Sequence, residues 1–265
     1  MPTQATDLSR EVLETHEMMS LPVDPFAIAG IEEIELAPGK YTDGFDARIE
    51  FIPEATRFAI YYRPPGSGRP RGRVNFSIAH ELGHFYLPHH REQLLRGEMH
   101  NSTSNFRSTA EQEREADEFA ANLLMPRDLF IDEVRRFRQR VCTLKELSQL
   151  ADERLGTSLT STVRRYCQCD MEPCIAVFSK DGVVQWAMPS ADMKAMGMGY
   201  VPFKAPVPKD SKTREAFQVD GVGTAIDGRV LASAWFDNPT VERVWEDVLL
   251  LGRTGFAITL ITPDE

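Results

Sequence analysis

The stretch Phe76-Ser77-Ile78-Ala79-His80-Glu81-Leu82-Gly83-His84, running on to Leu87-Pro88, decides how the rest of the chain is read. Phe76, Ala79, Leu82 and Leu87 supply apolar faces for a helix from Val74 to Leu87, and Pro88 is expected to stop it. Four residues apart on such a helix, His80 and His84 project from the same face, one turn from each other. That spacing lets two imidazoles bind one tetrahedral Zn²⁺, and Glu81 beside them is placed to take a proton from a water the ion activates. The five-residue pattern H-E-x-x-H also arises by chance, leaving two unrelated surface histidines, so its surroundings have to decide. Gly83 costs about 1 kcal/mol relative to alanine in a helix interior, which points to close approach by another backbone.

A catalytic zinc site takes three protein ligands and keeps one position open. The third ligand is sought in a second helix, whose start is read from Ser108 and Glu111 as a capping box. Ala116, Phe119, Ala120, Leu123 and Leu124 form its apolar face, and Pro126 ends it. Its acidic residues Glu111, Glu113, Glu115 and Glu118 are separated by helix geometry. Glu113 falls roughly 50° from the centre of the apolar face, Glu115 roughly 110°, and Glu118 nearly opposite. Glu113 is therefore expected to reach the metal if that face packs on the first helix. Asp117, one turn on, is placed to accept the free N–H of a liganding histidine. A solvated helix charge is the plainer alternative for Glu113.

These segments, with Pro22-Val23-Asp24-Pro25 and the run from Glu113-Arg114-Glu115-Ala116-Asp117 to Leu124-Met125-Pro126, resemble the ImmA/IrrE family of bacterial metallopeptidases from about residue 20 to 126. The likeness is weaker through 127–166, where Leu155-Gly156-Thr157-Ser158 and Arg164-Arg165 look like the next helical segment, and faint beyond 170. It implies His80, His84 and Glu113 as zinc ligands and Glu81 as the catalytic glutamate. It also implies a helix-turn-helix transcriptional repressor as substrate, cleaved to induce genes of a mobile element or a stress response. Some members carry a GAF-like C-terminal domain, and residues 171–265 are compared with one by analogy only.

The chain as a whole has the composition of an ordinary soluble globular protein. It has 265 residues, a formal net charge of −10, four Cys and six His. A disulfide-framed mini-protein is excluded, and no apolar run approaches the about 20 residues of a membrane helix. Without a signal-peptide pattern, a cytoplasmic location is the expectation, and the acidic balance argues against direct nucleic-acid binding.

The expected class is α+β: a zincin-like metallopeptidase domain with a small sheet over 1–127, a helical segment over 128–170, and an α+β domain over 171–265 with a sensory or substrate-recognition role. Along the chain, a helix is read from Asp7 to Ser20 with Val12, Met18 and Met19 as its apolar members, and a short one from Pro25 to about Gly30. Strands follow at Ile31–Leu36, Ala47–Ile52 and Phe58–Tyr62, then a loop at Pro64–Gly72 and another over 88–107. Further helices are read around Phe130–Val141, Leu144–Leu155 and Ser161–Tyr166. A hairpin of Ile175–Phe178 and Val183–Trp186 and a last strand, Phe256–Ile261, complete the pattern.

Other residues draw plainer readings. Cys167, Cys169 and Cys174, with Cys142, lack paired C-x-x-C knuckles and are read as structural or free thiols rather than a second zinc site. His89, His90 and His100 are read as solvated loop histidines, with an oxyanion donor among them as the alternative. Tyr61 or Tyr62 is either a core aromatic or such a donor. Arg135, Arg136, Arg138 and Arg140 read as a solvated basic face, and Trp186, Trp235 and Trp245 as core of the last domain. Two rivals to a repressor-cleaving peptidase remain: a regulator that sequesters its partner uncut, and a toxin-like peptidase acting on another cellular protein.

Overall fold

The structure, a computed structural model, describes residues 3–41, 46–66, 70–97, 106–137, 142–219, 223, 225–251 and 255–264, and only the backbone of 106–110 and 137. Helix α1 (Gln4–Thr15) begins at a Thr3 cap and ends earlier than Ser20. Glu17 takes φ 57°, and the buried face is Val12 and Leu13, not Met18 and Met19. Asp24 caps α2 (Pro25–Ile31), with Pro25 in its first turn. Because Ile31 closes that helix, β1 (Glu35–Pro38) starts later than the expected strand at Ile31. β2 (Ala47–Ile52) and β3 (Arg57–Tyr62) lie where the sequence puts them. β3 is central, parallel to β1 and antiparallel to β2, with Ile49 opposite Ile60.

Helix α3 (Arg71–Tyr86) carries the H-E-x-x-H residues and starts inside the stretch read as loop. Pro88 does not lead into a loop either: it opens α4 (Pro88–Leu95). A proline stops one helix and starts the next, since its fixed φ and missing N–H suit a first turn. Residues 98–105 of the expected loop, with His100, lie outside the described residues. Helix α5 (Phe106–Leu124) begins before Ser108, so Ser108 is an interior helical position and not the expected cap. Helices α6 (Arg127–Phe137), α7 (Leu144–Leu150) with a wide π-type turn at Ala151–Leu155, and α8 (Leu159–Gln168) follow. Residues 138–141, with Arg138 and Arg140, lie outside the described residues.

The chain divides into two compact units, one of Met1–Asp132 with Ala151–Ser158, the other of Glu133–Leu150 with Leu159–Glu265. The helical stretch 128–170 thus contributes to both. In the first unit α5 packs between α3 and α1, and Leu13, Ile78, Leu82, Phe119, Leu123 and Leu124 are fully buried. The second helix face read from sequence (Ala116, Phe119, Ala120, Leu123, Leu124) is the buried one. Gly72 sits so close to the returning segment that a Cβ there would lie 2.2 Å from the Thr157 carbonyl carbon. Asn75 Nδ2 donates to the Gly156 carbonyl at 2.8 Å in the same place.

The second unit holds a five-stranded antiparallel sheet. Its strands are β4 (Ile175–Lys180), β5 (Val183–Pro189), β6 (Ala225–Leu231), β7 (Arg243–Leu251) and β8 (Phe256–Asp264), in the order β5-β4-β8-β7-β6. Short helices α9 (Ala191–Ala195) and α10 (Lys212–Ala216) interrupt the connection from β5 to β6. On β7, Val244, Glu246 and Val248 point inward, which leaves Trp245 on the exposed face instead of in the core. Trp235 is in the core, and its indole N–H donates to Glu246 at 2.8 Å. Asp247 accepts from the Leu144 N–H. Burial pushes its carboxyl up to about 6, with Asp227 and Glu146 adding to the rise and the Leu144 hydrogen bond opposing it. All four cysteines are buried, and the Cys174 and Cys167 sulfurs are 3.7 Å apart.

Candidate metal centre

Three donors converge where α3 meets α5. His80 Nε2 lies 3.2 Å from Glu113 Oε2, His84 Nε2 lies 3.6 Å from Glu113 Oε1, and the two Nε2 atoms are 3.1 Å apart. His80, His84 and Glu113 therefore form a group able to hold a metal ion, with all three ligand atoms within 4.8 Å of one another. The donor chemistry fits: two imidazole nitrogens and a carboxylate oxygen suit Zn²⁺ and leave a fourth position open. Asp117 Oδ1 stands 2.9 Å from His80 Nδ1. A proton on that Nδ1 turns the lone pair of Nε2 toward the converging ligands. Burial opposes charge on His80, but Asp117 and Glu113 outweigh it and push its pKa up to about 10. A divalent ion among these ligands would reverse that preference, because liganding imidazoles are neutral.

Helix spacing explains why these atoms meet. Gly83 sits against α5, where a Cβ would lie 3.1 Å from Ala116 Cα and 3.2 Å from its carbonyl oxygen. The close backbone approach expected from a glycine mid-helix is present, and it brings Glu113 within reach of both histidines. Glu113 itself is half exposed, whereas His84 is buried.

Glu81 lies on the inner side of α3, buried. Its Oε2 accepts from the Ile49 N–H of β2 at 2.9 Å. Burial raises its carboxyl above the usual range, with His80 and the Ile49 hydrogen bond pulling the other way. A raised carboxyl beside the histidines is suited to both accept and return a proton. The Ile49 amide was not legible from the sequence, since a backbone donor carries no residue signature.

A second group also escaped the sequence reading. His89 and His90 are not solvated loop residues: they occupy the first turn of α4, and His90 is fully buried. His89 Nε2 and His90 Nε2 lie 2.8 and 3.1 Å from Glu115 Oε2. Burial works against ionisation of Glu115, yet these two contacts outweigh it and hold its carboxyl below the usual range. Glu118, nearly opposite the apolar face, accepts from Thr3 and Thr6 at the start of α1. Tyr61 and Tyr62 pack edge-on against Tyr41 and Phe26, with centroids 5.9 and 5.4 Å apart. Arg136 pairs with Glu133 at 3.5 Å, one turn away on α6.

The match to a known sequence family covers one segment of the chain. Residues 67–162 match the family model described as the IrrE N-terminal-like domain, a peptidase family, so the ImmA/IrrE resemblance holds over that stretch. The segment includes α3, α5 and every residue of the centre except Ile49. A solved structure of a Mycobacterium tuberculosis transcriptional regulator is similar with a TM-score of 0.62 at 13% identity, covering 97% of this chain and 76% of that one. At that identity the likeness is one of fold. No curated protein matches the sequence. Among the described residues no helix is long and apolar enough to cross a membrane.

Proposed function

We propose that the protein is a cytoplasmic zinc-dependent endopeptidase that cleaves a helix-turn-helix transcriptional repressor, inducing the genes that repressor silences. The observation that carries this reading is the convergence of His80, His84 and Glu113 beside a buried Glu81. Further support comes from the peptidase family that residues 67–162 match and from the fold likeness to a transcriptional regulator. In this reading the zincin-like peptidase domain expected over 1–127 is the unit of residues 1–132 with 151–158, the helical segment over 128–170 is shared between the two units, and 171–265 is a GAF-like sensory or substrate-recognition domain. The five-stranded antiparallel sheet of the last part favours that assignment.

When bound, zinc supplies a Lewis acid that lowers the pKa of water and polarises a peptide carbonyl. His80, His84 and Glu113 would hold the ion, and Asp117 would fix the tautomer and orientation of His80. Glu81 takes the proton of the attacking water on its carboxylate and passes it to the leaving amine. The Ile49 N–H holds Oε2, so that the carboxylate keeps one orientation through both transfers. Gly83 keeps α3 and α5 close enough for Glu113 to complete the ligand set.

The test is incubation of zinc-loaded protein with a helix-turn-helix repressor encoded beside its gene, read by intact mass. One cut by the wild type is expected, abolished by a chelator and reduced about 10²–10⁴-fold in Glu81→Gln, which retains its metal. Equal cutting by wild type and Glu81→Gln overturns the mechanism. A stoichiometric complex with uncut repressor identifies a sequestering regulator instead.

A further inference from the structure

We propose that His89, His90 and Glu115 form a second binding site for a divalent transition metal, distinct from the centre on α3. Their ligand atoms, like those of the first group, all lie within 4.8 Å of one another. Both Nε2 atoms face a single carboxylate oxygen, at 2.8 and 3.1 Å. The first group shows the same kind of convergence, with nitrogen-to-oxygen separations of 3.2 and 3.6 Å. Two imidazole nitrogens and one carboxylate favour a borderline ion such as zinc, cobalt or nickel over calcium or magnesium, which prefer all-oxygen shells.

The backbone sets this arrangement up. Pro88 fixes the first turn of α4, so two successive histidines leave it in divergent directions. Their rings nevertheless meet nearly at right angles with centroids 4.3 Å apart, and both reach Glu115 on α5. His90 is buried while His89 is 44% exposed, so the cluster is anchored on one side and reachable from solvent on the other. Gln112 donates to Gln93 at 3.0 Å along the same pair of helices. An ion here would pin α4, which follows the α3 helix across Leu87 alone, to the helix that carries Glu113. The rings of His90 and His84 lie 4.9 Å apart, so the two sites would share a wall while sharing no ligand.

The proposal uses none of the first centre's ligands, and its test separates the two. Full-length protein stripped of metal is dialysed against buffered Zn²⁺ and its metal content measured, with Co²⁺ absorption spectra as a second readout. The wild type is expected to bind two equivalents. His89→Gln and Glu115→Gln are each expected to bind one and to lose one of two Co²⁺ spectral components. Glu113→Ala is expected to lose the other component. Circular dichroism of the stripped variants checks folding, and His89→Gln, altering a half-exposed side chain, carries the result if Glu115→Gln fails to fold. If His89→Gln binds as much metal as the wild type, the cluster is only a hydrogen-bonded clamp and the proposal falls. If the wild type binds one equivalent that His89→Gln loses and Glu113→Ala keeps, this site stands and the peptidase centre falls.

Discussion

Two histidines and one glutamate meet twice in the first unit, and the two meetings are built differently. At the first, His80 and His84 stand one turn apart on a long helix and face the same way without backbone distortion. At the second, His89 and His90 are neighbours in the first turn of a short helix, and only the position of Glu115 gathers them. The first group has a buried carboxylate, Glu81, held by a strand amide, and an aspartate behind one histidine. The second has a glutamine pair alongside. A donor set alone thus defines a place for an ion, whereas a proton carrier next to it is what makes a reaction at that place conceivable.

The largest effect expected is the one that removes this distinction. Glu81→Gln should leave both metal equivalents in place while peptide cleavage falls by about 10²–10⁴-fold, measured as kcat/KM on the repressor. Loss of metal along with activity would mean that Glu81 supports the ligands and not the chemistry. Next comes Asp117→Asn, which removes the carboxylate behind His80 and should weaken the first equivalent of zinc by about 10–100-fold. Competition with a chromophoric chelator reads this out, and the second equivalent should keep its affinity.

Gly83→Ala tests how far the first group depends on the spacing of α3 and α5. A methyl 3.1 Å from Ala116 Cα has to push backbone, not a flexible side chain. Helix propensity returns about 1 kcal/mol, against about 1–3 kcal/mol for overpacking, so a net loss of about 1 kcal/mol is expected in urea unfolding. Zinc affinity of the first group should fall with it. A stabilised variant with unchanged affinity would show that the helices can separate freely.

The smallest effect is a control in the other unit. Asp247 has its folded pKa raised to about 6 from an ordinary 3.8, so its contribution to stability is fully present below the unfolded value and is lost as pH rises through 6. Asp247→Asn should therefore be more stable than wild type at pH 8 and lose that advantage as pH falls toward 4. Melting curves at the two pH values check the sign, and neither metal equivalent should change. An advantage that grows at low pH contradicts the assignment.

What the sequence revealed and what it hid divide along the same line. The first group was legible because helix periodicity turns residue spacing into direction: the four-residue step from His80 to His84, and the angle of Glu113 to its apolar face. The same angle set Glu115 aside as pointing away, and it does point away, toward α4. That helix is hidden because Pro88 reads as a stop when it is also a start. The doublet of histidines directly after it, with acidic residues left over on α5, was the available signal. Trp245 was misplaced because a large aromatic suggested core, while the alternation Val244, Glu246, Val248 assigns the inner face to its neighbours. A buried glutamate on that face overrode the usual reading of polarity, since Trp235 and Thr213 satisfy it.

Gly72 and Asn75, at the start of α3, touch residues 156 and 157, which return from beyond the first stretch of the unit. The first unit is therefore discontinuous in sequence, and no single cut isolates it. A fragment ending at residue 132 would leave the bare backbone of Gly72 facing water and the amide of Asn75 without Gly156. The family match running to residue 162 takes in this returning piece. Gene fusions, truncations and proteolytic nicks that respect the apparent order of parts along the chain would break the unit, whereas an insertion between 138 and 141 would leave both of its strands of sequence whole.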